Sequence, residues 1–74
     1  MPRVPKVSGR QAVAVFQRVG FEVRRHRGSH IVMVNPGFAE TLSVPDHRQL
    51  RPGTLRALIR KADLNVEEFL TLLR

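Results

Sequence analysis

Ala12, Val15, Phe16 and Val19 fall at i, i+3, i+4 and i+7, the spacing that lines one side of a helix with apolar groups. Ser8 precedes this stripe with Gln11 three residues on, the pattern of a capping box, and Val7 with Ala12 fits the accompanying hydrophobic staple. Gly20 stands where a left-handed residue stops a helix. The period then changes from helical to alternating. Residues 21–26 put Phe21 and Val23 on one side, predicted to face a core, and His30-Ile31-Val32-Met33-Val34 is the strongest strand signal of the chain. Residues 41–44 alternate again and Pro45 ends them, while Arg27-Gly28-Ser29 and Asn35-Pro36-Gly37 supply the turns. After a polar loop over 46–51, Pro52 suits the first position of a helix, and Leu55, Leu58, Ile59 and Ala62 form a second apolar stripe. Asn65 is placed to cap a last short helix, with Glu67 and Glu68 in its first turn and Val66, Phe69, Leu70 and Leu73 on its buried side. Residues 1–7, with two prolines, read as an extended lead-in.

The expected fold class is α+β, in the order α-β-β-β-α with a short extra C-terminal helix. Three consecutive strands with short loops favour an antiparallel meander, a three-stranded sheet covered on one face by helices. A chain of 74 residues is expected to form one domain over 1–74, with a small core and no deep substrate cavity, so a site belongs on its surface. An apolar content of 42% sets it apart from disordered tails. The absence of cysteine removes disulfides and thiolate zinc sites. The longest apolar runs, 12–16 and 31–34, are too short for a membrane span or a signal-peptide core, and the expected location is the cytoplasm.

Charge changes the picture most. Thirteen Lys and Arg against six Asp and Glu leave a net +7, and the excess is concentrated in residues 1–30, which hold seven bases and one acid, Glu22. A basic half on a small protein points to a polyanion, and the preponderance of arginine favours phosphate, which its planar fork pairs bidentately. The competing reading is a merely solubilising surface.

The stretch Arg24-Arg25-His26-Arg27-Gly28-Ser29-His30 sets three arginines and two histidines around a glycine turn. Glycine lets backbone approach a phosphate, and turn N–H groups help bind anions. Imidazole, which ordinarily titrates near ~6.5, exchanges protons at neutral pH. Arginines beside it can stabilise charge in a phosphorane-like transition state. Together these groups suit RNA cleavage through the 2′-hydroxyl. A hairpin with solubilising arginines and a packed histidine accounts for the same residues. His26 or His47 can supply a second acid or base, although nothing in the spacing places either near His30. The three histidines with Asp46 lack metal-ligand spacing, so neither metal nor cofactor is expected. Aromatic stacking is poorly provided for: with no Trp or Tyr, Phe38 alone lies in a loop, free to meet a base. Residues 52–73 also admit a helix-turn-helix, but its second helix opens with Glu67-Glu68, which phosphate repels.

Ser8-Gly9-Arg10, Gly20-Phe21-Glu22-Val23, Gly28-Ser29-His30, Val44-Pro45-Asp46-His47 and Leu50-Arg51-Pro52-Gly53-Thr54-Leu55 resemble the HicA family of small mRNA-interferase toxins from toxin–antitoxin pairs. The resemblance runs from about residue 6 to Phe69. It implies a fold like the double-stranded-RNA-binding domain, metal-independent cleavage of mRNA, and a HicB-type antitoxin partner. It places the family's catalytic histidine at His30 and its glycine turn at Gly28. Two positions depart from the family pattern. Ile31 stands where a second histidine often follows, and Arg10 and Gln11 replace the usual lysine and glutamate, keeping charge and cap. The site so expected is His30 as general acid or base, Gly28 and Ser29 shaping the turn, and Arg24, Arg25 and Arg27 binding phosphate. The alternative is a non-catalytic double-stranded-RNA-binding module that uses the same basic face to hold A-form backbone.

Overall fold

A computed structural model describes residues 3–74; Met1 and Pro2 of the expected lead-in lie outside the described residues. Helix α1 spans Gly9–Arg18, strands β1, β2 and β3 span Glu22–Arg27, His30–Val34 and Leu42–Pro45, and helices α2 and α3 span Pro52–Lys61 and Val66–Leu73. The order and the three-stranded antiparallel sheet, β1-β2-β3, follow the alternation and turn signals.

Each helix end is explained by local chemistry. The Gln11 N–H donates to Ser8 Oγ at 3.1 Å while the Ser8 N–H donates to Gln11 Oε1 at 2.8 Å, completing the capping box. Val7 and Ala12, the expected staple, are both buried in the core. At the other end, the Gly20 N–H donates to the Gln17 carbonyl and the Phe21 N–H to the Phe16 carbonyl, with Gly20 at φ +101°. This pair of hydrogen bonds is a Schellman stop, and Phe16 and Phe21 meet edge-on with centroids 6.3 Å apart. The same stop ends α2, where Asp63 takes the left-handed position at φ +60°. Asn65 and Glu68 form a second capping box at α3.

The core lies between the sheet and α1, α2 and α3. Phe16, Phe21, Phe69, Met33, Leu42 and Leu55 are its largest fully buried side chains. Phe69 carries α3 onto α1, its ring 5.8 Å from Phe16, and the Arg18 guanidinium donates to the Leu72 carbonyl at 2.9 Å. Helix α3 therefore spends its apolar side on this core. Leu70, expected on that side, is only half-buried, whereas Leu72 packs against the core.

Three expectations are corrected. Val23 is 39% exposed instead of buried: it shares the covered face with Met33, but β1 is an edge strand and all six of its residues are exposed. Phe38 is not free in its loop, because its ring packs on Phe21 with centroids 5.0 Å apart. The third strand begins at Leu42 and not at Thr41, while Pro45 ends it as its last residue, tolerated because β3 is the other edge of the sheet.

Candidate functional site

Directly opposed residues in an antiparallel pair put their side chains on the same side of the sheet. Ile31 opposes Val44 and His26, and Met33 opposes Leu42 and Val23; these positions face the helices. His30 opposes Arg27 and Pro45, and Val32 opposes Arg25 and Ser43; these face away from the helices. Strict alternation from Phe21 and Val23 puts Arg25 and Arg27 on the core side. A β-bulge between Val23 and Arg25 reverses the phase, so both arginines move to the open face with His30.

Arg25, Arg27, His30, Val32, Thr41 and Ser43 line one depression of about 360 Å³ on that face. His30 occupies the central strand, with a row of cations from β1 on one side and hydroxyls near and on β3 on the other. Val32 is a half-buried apolar floor, and the other five are exposed. Arg24, Arg25 and Arg27 make no ion pair among the described residues, so their guanidinium groups are available to an anion. Arg24 belongs to the bulge and does not line the depression.

Gly28 and Ser29 form the two-residue loop between Arg27 and His30. Gly28 has φ +62° and Ser29 does not share the positive sign, the arrangement of a type II′ hairpin turn. The Ser29 carbonyl accepts the Asp46 N–H at 2.7 Å, tying this turn to the chain leaving β3. Asp46 is gripped in turn by Arg10, whose Nε and Nη2 donate to the two carboxylate oxygens at 3.2 and 3.1 Å. A Cβ on Gly28 meets nothing within 4 Å, so the glycine serves the turn's conformation and not a tight fit. Gly28→Ala is expected to cost about 1 kcal/mol of left-handed strain. That lowers the melting temperature by about 4–8 °C in a domain of this size, and an unchanged thermal transition would contradict this role.

The structure does not bring His26 to His30. They lie on opposite faces of the sheet, and His26 opposes Ile31. His47 follows the Pro45 that opposes His30 by two residues, and its carbonyl accepts the Gly9 N–H at 2.9 Å. Among the described residues no three histidine or carboxylate side chains converge as metal ligands, and no helix is long and apolar enough to cross a membrane. Sequence reasoning missed Val32, Thr41 and Ser43. Their signal is the outward phase of two strands whose inward residues, Ile31, Met33, Leu42 and Val44, are grouped by alternation.

A helix-backed three-stranded sheet in α-β-β-β-α-α order is the double-stranded-RNA-binding-domain-like class of α+β fold, here with an arginine- and histidine-bearing open face. The family model described as the HicA toxin of bacterial toxin–antitoxin systems matches residues 9–64. The chain belongs to that family, and the membership implies a toxin–antitoxin pair. No curated protein matches the chain.

Proposed function

We propose that the protein is the endoribonuclease toxin of its pair, a single catalytic unit over 1–74 that cleaves mRNA in the cytoplasm without a metal or other cofactor. The observation that carries this reading is the placement of His30 on the open face, beside Arg25 and Arg27 and above an apolar floor. An RNA phosphate held by the arginines lies against the imidazole. His30 acts as general base on the 2′-hydroxyl, or as general acid at the departing O5′. The 2′-oxygen forms a bond to phosphorus, the P–O5′ bond breaks, and the proton lost from the 2′-oxygen is balanced by one gained at O5′. Arg25 and Arg27 stabilise the charge that builds on the non-bridging oxygens. Arg24 adds to the positive field at the edge, and Gly28 with Ser29 fixes the turn from which His30 begins. A HicB-type antitoxin silences the enzyme by covering this face with complementary acidic groups.

End-group analysis tests the chemistry. Purified protein incubated with mRNA in EDTA is expected to leave 2′,3′-cyclic phosphate and 5′-hydroxyl ends. Ends bearing 3′-hydroxyl and 5′-phosphate would exclude attack by the 2′-hydroxyl. RNA bound tightly but never cut would leave the non-catalytic double-stranded-RNA-binding module as the reading.

A further inference from the structure

A second basic site lies away from His30. Residues 3–7 run beside the segment entering α2, held by the Leu50 N–H, which donates to the Val7 carbonyl at 2.8 Å. Arg3, Lys6, Gln49 and Pro52 line a groove of about 330 Å³ between the two segments, and the exposed Arg51 stands at the cap of α2. The sequence separates Lys6 from Arg51 by forty-five positions; only the fold gathers these cations.

Among the described residues no carboxylate lines the groove itself. Asp46 is its one nearby acid, and Arg10 already occupies it. Glu22 begins β1 at the end opposite the Gly28 turn, and Glu40 sits in the loop between β2 and β3 at that same far end. Asp63 and Glu68 follow α2, and Glu67 lines a separate depression together with Arg56, which also borders the groove. Such segregation leaves an electropositive pole that raises the local concentration of a polyanion. The pole is linked to the active face by backbone. The Ser29 carbonyl binds the Asp46 N–H, and residues 46–51 lead directly from there to the groove.

We propose that this groove is a second RNA-backbone subsite, which takes phosphates of the strand flanking the one presented to His30. The proposal rests on the ribonuclease reading for the identity of its ligand. The open face holds the scissile phosphate, and the groove extends the grip along the same strand. Longer RNA gains affinity from it, and a dinucleotide, which reaches only the open face, gains none. Arg3, Lys6 and Arg51 bind phosphate, so they contribute to affinity and salt dependence and not to sequence preference.

The test compares full-length wild type with the triple variant Arg3→Gln, Lys6→Gln, Arg51→Gln on a dinucleotide and on a single strand of about a dozen nucleotides. Dinucleotide cleavage is expected to stay within about twofold of wild type, because no phosphate of so short a ligand reaches the groove. Affinity for the longer strand is measured in a His30→Ala background and is expected to fall roughly tenfold or more. The slope of log affinity against log salt is expected to flatten by about 0.7 for each phosphate that no longer meets a cation. Equal affinity and slope in a folded triple variant would overturn the groove while leaving the ribonuclease reading intact. Loss of long-strand binding in a protein that cuts no RNA would refute the ribonuclease and keep the groove. Amide shifts of the His30→Ala protein, titrated with the longer strand, give a reading independent of the triple variant's folding. Shifts at Lys6, Gln49 and Gly53 are expected, and shifts confined to β1, β2 and β3 would overturn the proposal.

Discussion

Gly9→Ala is expected to destabilise the protein more than any other single-methyl addition to its glycines. A Cβ at Gly9 lands on the carbonyl oxygen of Pro45, 3.0 Å from its carbonyl carbon and 3.2 Å from Asp46 Cα. All three neighbours are backbone, so no side-chain rotation relieves the overlap. The Gly9 N–H also donates to the His47 carbonyl at 2.9 Å, and separating the segments to admit a methyl breaks that bond. Overpacking of this kind costs about 1–3 kcal/mol or more. Against a total stability of about 4–11 kcal/mol for a chain of this length, that is a large fraction. A fall in melting temperature of about 4–24 °C follows, at about 4–8 °C for each kcal/mol. The damage is expected to reach the site as well, because Pro45 opposes His30 and Asp46 anchors the Gly28–Ser29 turn. Thermal unfolding of Gly9→Ala beside Gly28→Ala checks the contrast. Equal small losses in the two variants would show that the first helix does not pack on the end of β3 so closely.

Much of the fold is legible in the sequence because its signals are local. Ser8 and Gln11 announce the start of α1, and Gly20 its end, since each acts on backbone groups within a turn of itself. Ile31 and Met33, and Leu42 and Val44, alternate cleanly, so the two strands declare which side is buried. The strand β1 makes no such declaration beyond Val23. Four polar residues follow in a row, and with no apolar residue to mark the phase an inserted bulge leaves no trace. That hidden half-step decides the site, because it carries Arg25 and Arg27 to the face of His30. The burial of Phe38 is concealed for a related reason. Its loop position is readable, but the ring it packs on, Phe21, lies seventeen residues earlier. The meeting of Arg3 and Lys6 with Gln49 and Pro52 is equally invisible, since it depends on long-range backbone pairing, of Leu50 with Val7 and of Gly9 with His47.

His30→Ala has the largest expected effect on function. The side chain is exposed and on the open face, where it contributes nothing to the core, so its loss leaves Phe16, Phe21 and Phe69 packed as before. The Gly28–Ser29 turn and the backbone pairing of residue 30 with Arg27 and Pro45 do not require an imidazole. Arg25 and Arg27 remain to bind phosphate, so RNA affinity is expected to change far less than rate. In the proposed reaction the chemical step loses its proton carrier, an effect typically worth about 10²–10⁴-fold. Toxicity in cells is expected to disappear with it. The measurement is a cleavage time course of wild type and His30→Ala on one mRNA, with circular dichroism establishing that the variant is folded. The account predicts a folded variant that binds the RNA and cuts it about a hundredfold more slowly or slower still. A folded variant that cuts at the wild-type rate would contradict it and remove His30 from the mechanism.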